Sequence, residues 1–159
     1  MPTLNPCLWF NNNGEEAANF YAAIFPDTRV DAVHRSPADY PGGKKGNALT
    51  VEFTLLGQKV VALNGGPHFP QTEAFSWQIG CADQAEIDRY WDALLADGGT
   101  TSACGWLKDR FGLSWQVFPT RLPELLADPD PARARRAMES MMTMVKIDLA
   151  TIEAAADGA

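Results

Sequence analysis

The sequence predicts an α+β fold made of two βαβββ modules followed by C-terminal helices. Three observations predict it. First, the 159-residue chain repeats its apolar pattern at an offset of 70. Ala17, Phe20, Tyr21, Ile24 and Phe25 fall on Ile87, Tyr90, Trp91, Leu94 and Leu95, with Glu16 on Glu86 and Asp27 on Asp97. Both sets carry apolar residues at i, i+3, i+4 and i+7, the stripe that one face of an amphipathic helix buries. Second, Leu49, Val51, Phe53 and Leu55 alternate with Thr50, Glu52 and Thr54, the period of a strand with one wet face. Third, each half reads in the same order: strand, helix, three strands. Two units are too few for a solenoid, so the repeat implies two similar modules, with a functional pocket expected near their seam.

The elements follow in order. Residues 4–10 form a short apolar run that predicts a strand, and Asn11-Asn12-Asn13-Gly14 a turn and helix cap. A helix over 15–25 has acidic residues in its first turn, where the macrodipole favours them, and Pro26 ends it. Residues 29–36 predict a strand and 37–46 a loop rich in Pro and Gly. Leu56-Gly57 is a tight turn from the alternating strand into its hairpin partner, 58–63. Residues 64–70 bridge the modules. The second module opens with a strand over 73–81. Asp83 caps a helix over 84–96, closed by Gly98-Gly99. Short strands are expected at 100–104, 106–110 and 113–118.

After Pro119 the pattern becomes helical. Asp130-Pro131 is an N-cap with proline at the first helical position. Met138, Met141, Met142 and Val145 make a further stripe, suited to packing on the sheet or on a second subunit. Asp148 caps a last helix with Leu149 and Ile152. The expected organisation is a first module over 2–66, a second over 67–119 and a helical appendix over 120–157, forming one compact domain.

Composition narrows the function classes. A hydrophobic content of 46% supports a real core, and a net charge of −7 argues against nucleic-acid binding. The one basic cluster, Arg133, Arg135 and Arg136, reads as a solvated helix face. No apolar run approaches the ~20 residues of a membrane helix, and the first ten residues do not read as a signal peptide. Three cysteines, Cys7, Cys81 and Cys104, without CxxC spacing, suit reduced thiols in a cytoplasmic protein.

Three stretches carry a family resemblance: GEEAANFYAAIFPDTRV at 14–30, ALNGGPHFPQTEAFSWQI at 62–79 and CGWLKDRFGLSWQVFP at 104–119. In the last, Asp109-Arg110-Phe111-Gly112 stands where many members have an Asp-Pro-x-Gly turn. Together they resemble the vicinal oxygen chelate superfamily, which has the glyoxalase and bleomycin-resistance fold. The branch they resemble is labelled 3-demethylubiquinone-9 3-methyltransferase-like. The resemblance spans about residues 2–157. It implies a divalent metal between the modules, held by His from the opening strands and Glu from the closing strands. This chain departs from that pattern. Its opening strands offer Pro6 or Cys7 and Ser76 or Trp77, and its closing strands offer Asn64 and Gln116. No metal and no other cofactor is therefore expected.

Other chemistry is thinly represented. His34 lies on an edge strand and His68 in the linker. Lys108 and Arg110 are four and six residues beyond Cys104, which reads as a passive thiol. Gly42-Gly43, Gly65-Gly66 and Gly98-Gly99 lack the strand-to-helix context of an S-adenosylmethionine site. What remains is a small-molecule cleft between the modules, lined by aromatic residues and oriented by a few polar groups. Its candidate residues are Trp9, Asn64, Trp77, Gln78, Cys104, Trp106 and Gln116, with Trp115 on a strand lining the same concave faces. The expectation is a glyoxalase-type small-molecule-binding protein, catalytic or not, that forms a homodimer and binds neither nucleic acid nor membrane. The alternatives are a metal-dependent lyase, isomerase or dioxygenase-like enzyme, and the methyltransferase of the family label.

Overall fold

The computed structural model describes residues 1–159, and the chain divides into two compact units, Met1–Gln71 and Thr72–Ala159. In the first, β1 (Cys7–Phe10), α1 (Gly14–Ile24), β2 (Arg29–Arg35), β3 (Ala48–Leu55) and β4 (Gln58–Asn64) build one sheet of strand order β1-β4-β3-β2. β1 runs parallel to β4 and the other neighbours are antiparallel. The register pairs Leu8 with Ala62, Val51 with Ala62 and Phe53 with Val60. These residues are buried together with Ala17, Ala18 and Tyr21 of α1, and the Tyr21 and Phe53 rings stack at 6.4 Å. The turn at Leu56-Gly57 has positive φ at both residues, 47° and 80°, the geometry that joins twisted hairpin strands.

The start of α1 departs from the expected local cap. Asn13 occupies the N-cap position without a side-chain bond. Asn64, at the end of β4, caps instead. Its Oδ1 accepts the Gly14 N–H at 2.9 Å, and its Nδ2 donates to the Ala48 carbonyl at 2.9 Å. A Cβ on Gly14 would lie 2.8 Å from that Oδ1, so the close approach requires glycine.

The second unit repeats the topology. β5 (Ser76–Cys81), α2 (Gln84–Leu95), β6 (Thr100–Thr101), β7 (Trp106–Lys108) and β8 (Ser114–Pro119) form a sheet of order β5-β8-β7-β6. The opening strand starts at Ser76, three residues later than its composition suggests. α2 buries Ile87, Tyr90, Trp91 and Leu94, the positions at offset 70 from the α1 stripe. Asp83 Oδ1 accepts the Glu86 N–H at 2.9 Å, while Glu86 Oε2 accepts the Ala82 N–H at 2.8 Å, a near-reciprocal capping box. The repeated aspartates have a backbone role. Asp27 and Asp97 both follow their helices with positive φ, 44° and 61°, a conformation that Asp tolerates better than most residues.

The appendix comprises α3 (Arg121–Leu126), α4 (Pro131–Met141) and α5 (Leu149–Ala156). Leu122, Leu125, Ala137, Ile147, Ile152 and Ala156 bury a common core, with Phe118 of β8 packed against it. Two expectations change here. The arginine cluster is not simply solvated. Arg133 bonds Asp128 at 3.1 Å and Asp157 at 2.5 Å, and Arg136 donates to the Ala155 and Ala156 carbonyls that end α5. The methionine stripe also splits. Met141 turns inward, but the helix ends there, and Met138, Met142 and Val145 are exposed. No helix is long and apolar enough to cross a membrane.

Candidate functional site

Alternation along β5 and β8 decides which side chains can meet. Trp77 pairs with Trp115 and Gln78 with Gln116. Paired residues share a face and successive ones alternate. Trp77, Ile79, Trp115 and Val117 therefore take the face packed on α2, and Ser76, Gln78, Gln116 and Phe118 take the open face. Trp77 and Trp115 thus do not line the face that carries the two glutamines, because neighbours on one strand point opposite ways. Trp115 is buried, and its indole N–H donates to Asp109 Oδ2 at 2.9 Å. Trp77 packs at 6.3 Å from Trp115 and edge-on to Phe75 at 5.1 Å.

β7 extends the open face. Trp106 stands opposite Gln116, and Lys108 opposite Ser114. The face is graded along the strands. Phe118 occupies one end, Gln78, Gln116 and Trp106 the middle row, and Ser76, Ser114 and Lys108 the next. A cavity of about 330 Å³ covers the middle row and the Phe118 end. Gln78, Cys104, Trp106 and Gln116, all expected from the sequence, line it together. Leu122, Pro123, Leu126 and Met141 from α3 and α4 close its far side. No charged side chain lines it.

Local backbone explains how Cys104 arrives there. Cys104 and Gly105 both have positive φ, 57° and 82°. Their N–H groups donate to the carbonyls of Met144 and Val145 at 2.8 and 2.7 Å, which stitches this turn to the loop between α4 and α5. On the sheet, Gln116 Nε2 donates to Ser76 Oγ at 2.8 Å, and Gln78 Nε2 lies 3.4 Å from Gln116 Oε1. The Gln116 amide is oriented by this row.

Trp106 also lines a smaller cavity of about 200 Å³, with Glu73, Thr100, Lys108 and Ser114. Lys108 Nζ lies 2.5 Å from Glu73 Oε1, and this contact holds the Glu73 carboxyl below the usual carboxylate range. Ser114 is 1% exposed, and its Oγ has no hydrogen-bond partner.

The remaining expected residues belong to the first unit and line neither cavity. The Trp9 indole donates to the Gly66 carbonyl at 2.9 Å and lies against Gly65, where a Cβ would come 2.3 Å from the ring. Both polar atoms of Asn64 are engaged in the capping bonds described above. His34 Nε2 lies 3.4 Å from Glu52 Oε1, and His68 is exposed. Nowhere do three or more His, Cys, Asp or Glu side chains converge as metal ligands. Cys81 is buried, its thiol pushed up to about 11 chiefly by desolvation, so it is a poor nucleophile.

The sequence reading missed Phe118, Ser114 and Ser76, although alternation from Gln116 and Gln78 points to all three. It also missed Leu122, Pro123, Leu126 and Met141. Nothing local marks these four, because their helices reach the sheet through distant packing.

A family model of 3-demethylubiquinone-9 3-methyltransferase matches residues 2–118. No curated protein matches the chain. Among solved structures, a PhnB protein from Bacillus cereus is similar at 29% identity and a TM-score of 0.64, over 74% of this chain and 99% of that one. A protein from Pseudomonas aeruginosa shares the fold at 21% identity and a TM-score of 0.60, over 75% of this chain and 98% of that one. Residues 119–159, which supply one wall of the larger cavity, lie beyond the family match.

Proposed function

Because the chain belongs to the family described as 3-demethylubiquinone-9 3-methyltransferase, we propose that it is a glyoxalase-type protein of the vicinal oxygen chelate superfamily. It holds a small, largely apolar molecule on the open face of its second sheet. One observation carries this reading: Gln78, Cys104, Trp106 and Gln116 surround a single cavity of about 330 Å³. That volume is at the lower end for ligand sites, which combine apolar walls with a few fixed polar groups. Trp106 and Phe118 offer aromatic surface. Gln116, held by Ser76, and Gln78 orient the guest.

The residues do not fit the metal of the superfamily. Gln116 and Asn64 stand where carboxylates would ligate, and no cluster of three metal-ligating side chains replaces them. Nor is methyl transfer assigned to this cavity, since no carboxylate lines it to hold a cofactor ribose. Protein purified without tag or chelator is expected to contain no stoichiometric divalent metal by elemental analysis. Calorimetry with 2-naphthol, a neutral bicyclic probe, should give saturable binding. Gln116→Ala should weaken it roughly fivefold, the worth of one neutral hydrogen bond, with an unchanged melting temperature. A stoichiometric metal, or no saturable binding by the wild type, would overturn the reading.

A homodimer is proposed on a separate observation. Met138, Met142 and Val145 are 42%, 53% and 50% exposed, apolar side chains at and just beyond the end of α4 that a second copy could bury. Light scattering after size exclusion should give twice the 17.3 kDa chain mass. A monomer at all concentrations tested rejects the dimer.

A further inference from the structure

We propose that the smaller cavity beside Trp106 is a carboxylate-recognition pocket, so that the ligand of the larger cavity carries an acidic head group on its apolar body. The inference rests on the proposed binding reading and deepens it by naming the ligand class.

Three observations point this way. The first is register. Ser114 and Lys108 lie two residues along their strands from Gln116 and Trp106, on the same face, a step of about 6.7 Å. Trp106 lines both cavities. A molecule with its ring system against Trp106 and Gln116 therefore places a short substituent in the next row. The second is an orphan donor. Ser114 Oγ is buried without a partner, which is unfavourable unless something supplies an acceptor. Thr100, paired with Lys108 across the sheet, brings a further hydroxyl. The third is the occupant already there. Glu73 precedes β5, its side chain is 66% exposed, and its carboxylate sits on Lys108 at 2.5 Å. The pocket thus already accommodates a carboxylate, tethered to the chain. A ligand acid that displaces Glu73 keeps the Lys108 contact and adds the Ser114 bond, which Glu73 does not make. Glu73 acts as an internal competitor for Lys108 when no ligand is bound.

The test compares 2-naphthoate with 2-naphthol on the full chain by calorimetry at pH 7.5. Wild type is expected to prefer 2-naphthoate. Lys108→Met, which keeps the apolar stem, should weaken 2-naphthoate about tenfold, the worth of a charge-assisted hydrogen bond, and leave 2-naphthol unchanged. Glu73→Gln should tighten 2-naphthoate about threefold by removing the competitor. Ser114→Ala should weaken 2-naphthoate with an unchanged or raised melting temperature, which separates recognition from a packing role. If 2-naphthol binds but 2-naphthoate binds no tighter and ignores Lys108→Met, the acid pocket is wrong and the larger cavity stands. If neither probe binds, both readings fail.

Discussion

Asp109→Ala is expected to destabilise the second unit by about 4 kcal/mol, more than any other polar substitution in the chain. Asp109 is 3% exposed and accepts three hydrogen bonds. Its Oδ1 takes the backbone N–H groups of Phe111 and Leu113 at 2.9 and 3.1 Å, and its Oδ2 the Trp115 indole at 2.9 Å. Alanine leaves these donors without their acceptor, two of them on residues 1% exposed, and each orphaned buried donor costs about 1–3 kcal/mol. Asp109→Asn should cost roughly half as much. Its amide oxygen can still serve the two backbone donors, but its NH₂ then faces the indole N–H, donor against donor. Adding Trp115→Phe to Asp109→Asn should recover part of that loss, a coupling that a double-mutant cycle resolves. Urea unfolding followed by tryptophan fluorescence measures all three. A loss below about 1 kcal/mol for Asp109→Ala would show that the turn does not depend on this carboxylate.

Gly105→Ala is the second large effect, expected at about 3 kcal/mol. Gly105 has φ +82°, and a Cβ there would lie 2.7 Å from the Val117 carbonyl and 2.9 Å from Ile147 Cγ1. A left-handed non-glycine residue costs about 1–2 kcal/mol, and overpacking a filled core adds about 1–3 kcal/mol. The response should be local as well as global. Gly105 donates to Val145, accepts from Val117, and adjoins the Cys104-to-Met144 bond, so the strain falls where the appendix is stitched to the sheet. Hydrogen exchange should show lost protection at Cys104, Gly105 and 144–149 before the β5–β8 pair is affected. Uniform loss across the second sheet would mean that the appendix is not a separately released wall.

These two sites show where the sequence could be read and where it could not. The offset of 70 and the alternation in β3 are local periodicities; α2 buries Ile87, Tyr90, Trp91 and Leu94 of its stripe, and α1 buries Ala17 and Tyr21 of the matching one, with Phe20 and Ile24 half-buried. The Asp109–Gly112 turn was legible as a motif, with Gly112 at φ +85°. That its carboxylate also clamps Trp115 was not, because the contact depends on which face Trp115 takes. Asn64 is a parallel case. It looked like a polar group at a functional strand end. It instead caps a helix fifty residues away in the chain, a role that no local pattern announces. The chain divides into Met1–Gln71 and Thr72–Ala159, with the helices after Pro119 inside the second unit.

Residue types and local patterns were enough for the α+β class, the duplicated βαβββ order and the helix faces, whereas the ligand positions that lack His and Glu were marked only by the family resemblance. The first three follow from residue type and spacing over a few turns or strand steps. Tertiary structure decided the rest: the face taken by each strand residue, the placement of Leu122 and Met141 as a wall over Gln116, and the orphaned Ser114 hydroxyl beside Lys108. Those depend on strand parity and on contacts between residues far apart in the chain. A change of one residue in register sends a side chain to the opposite face, and only the packed sheet fixes that register.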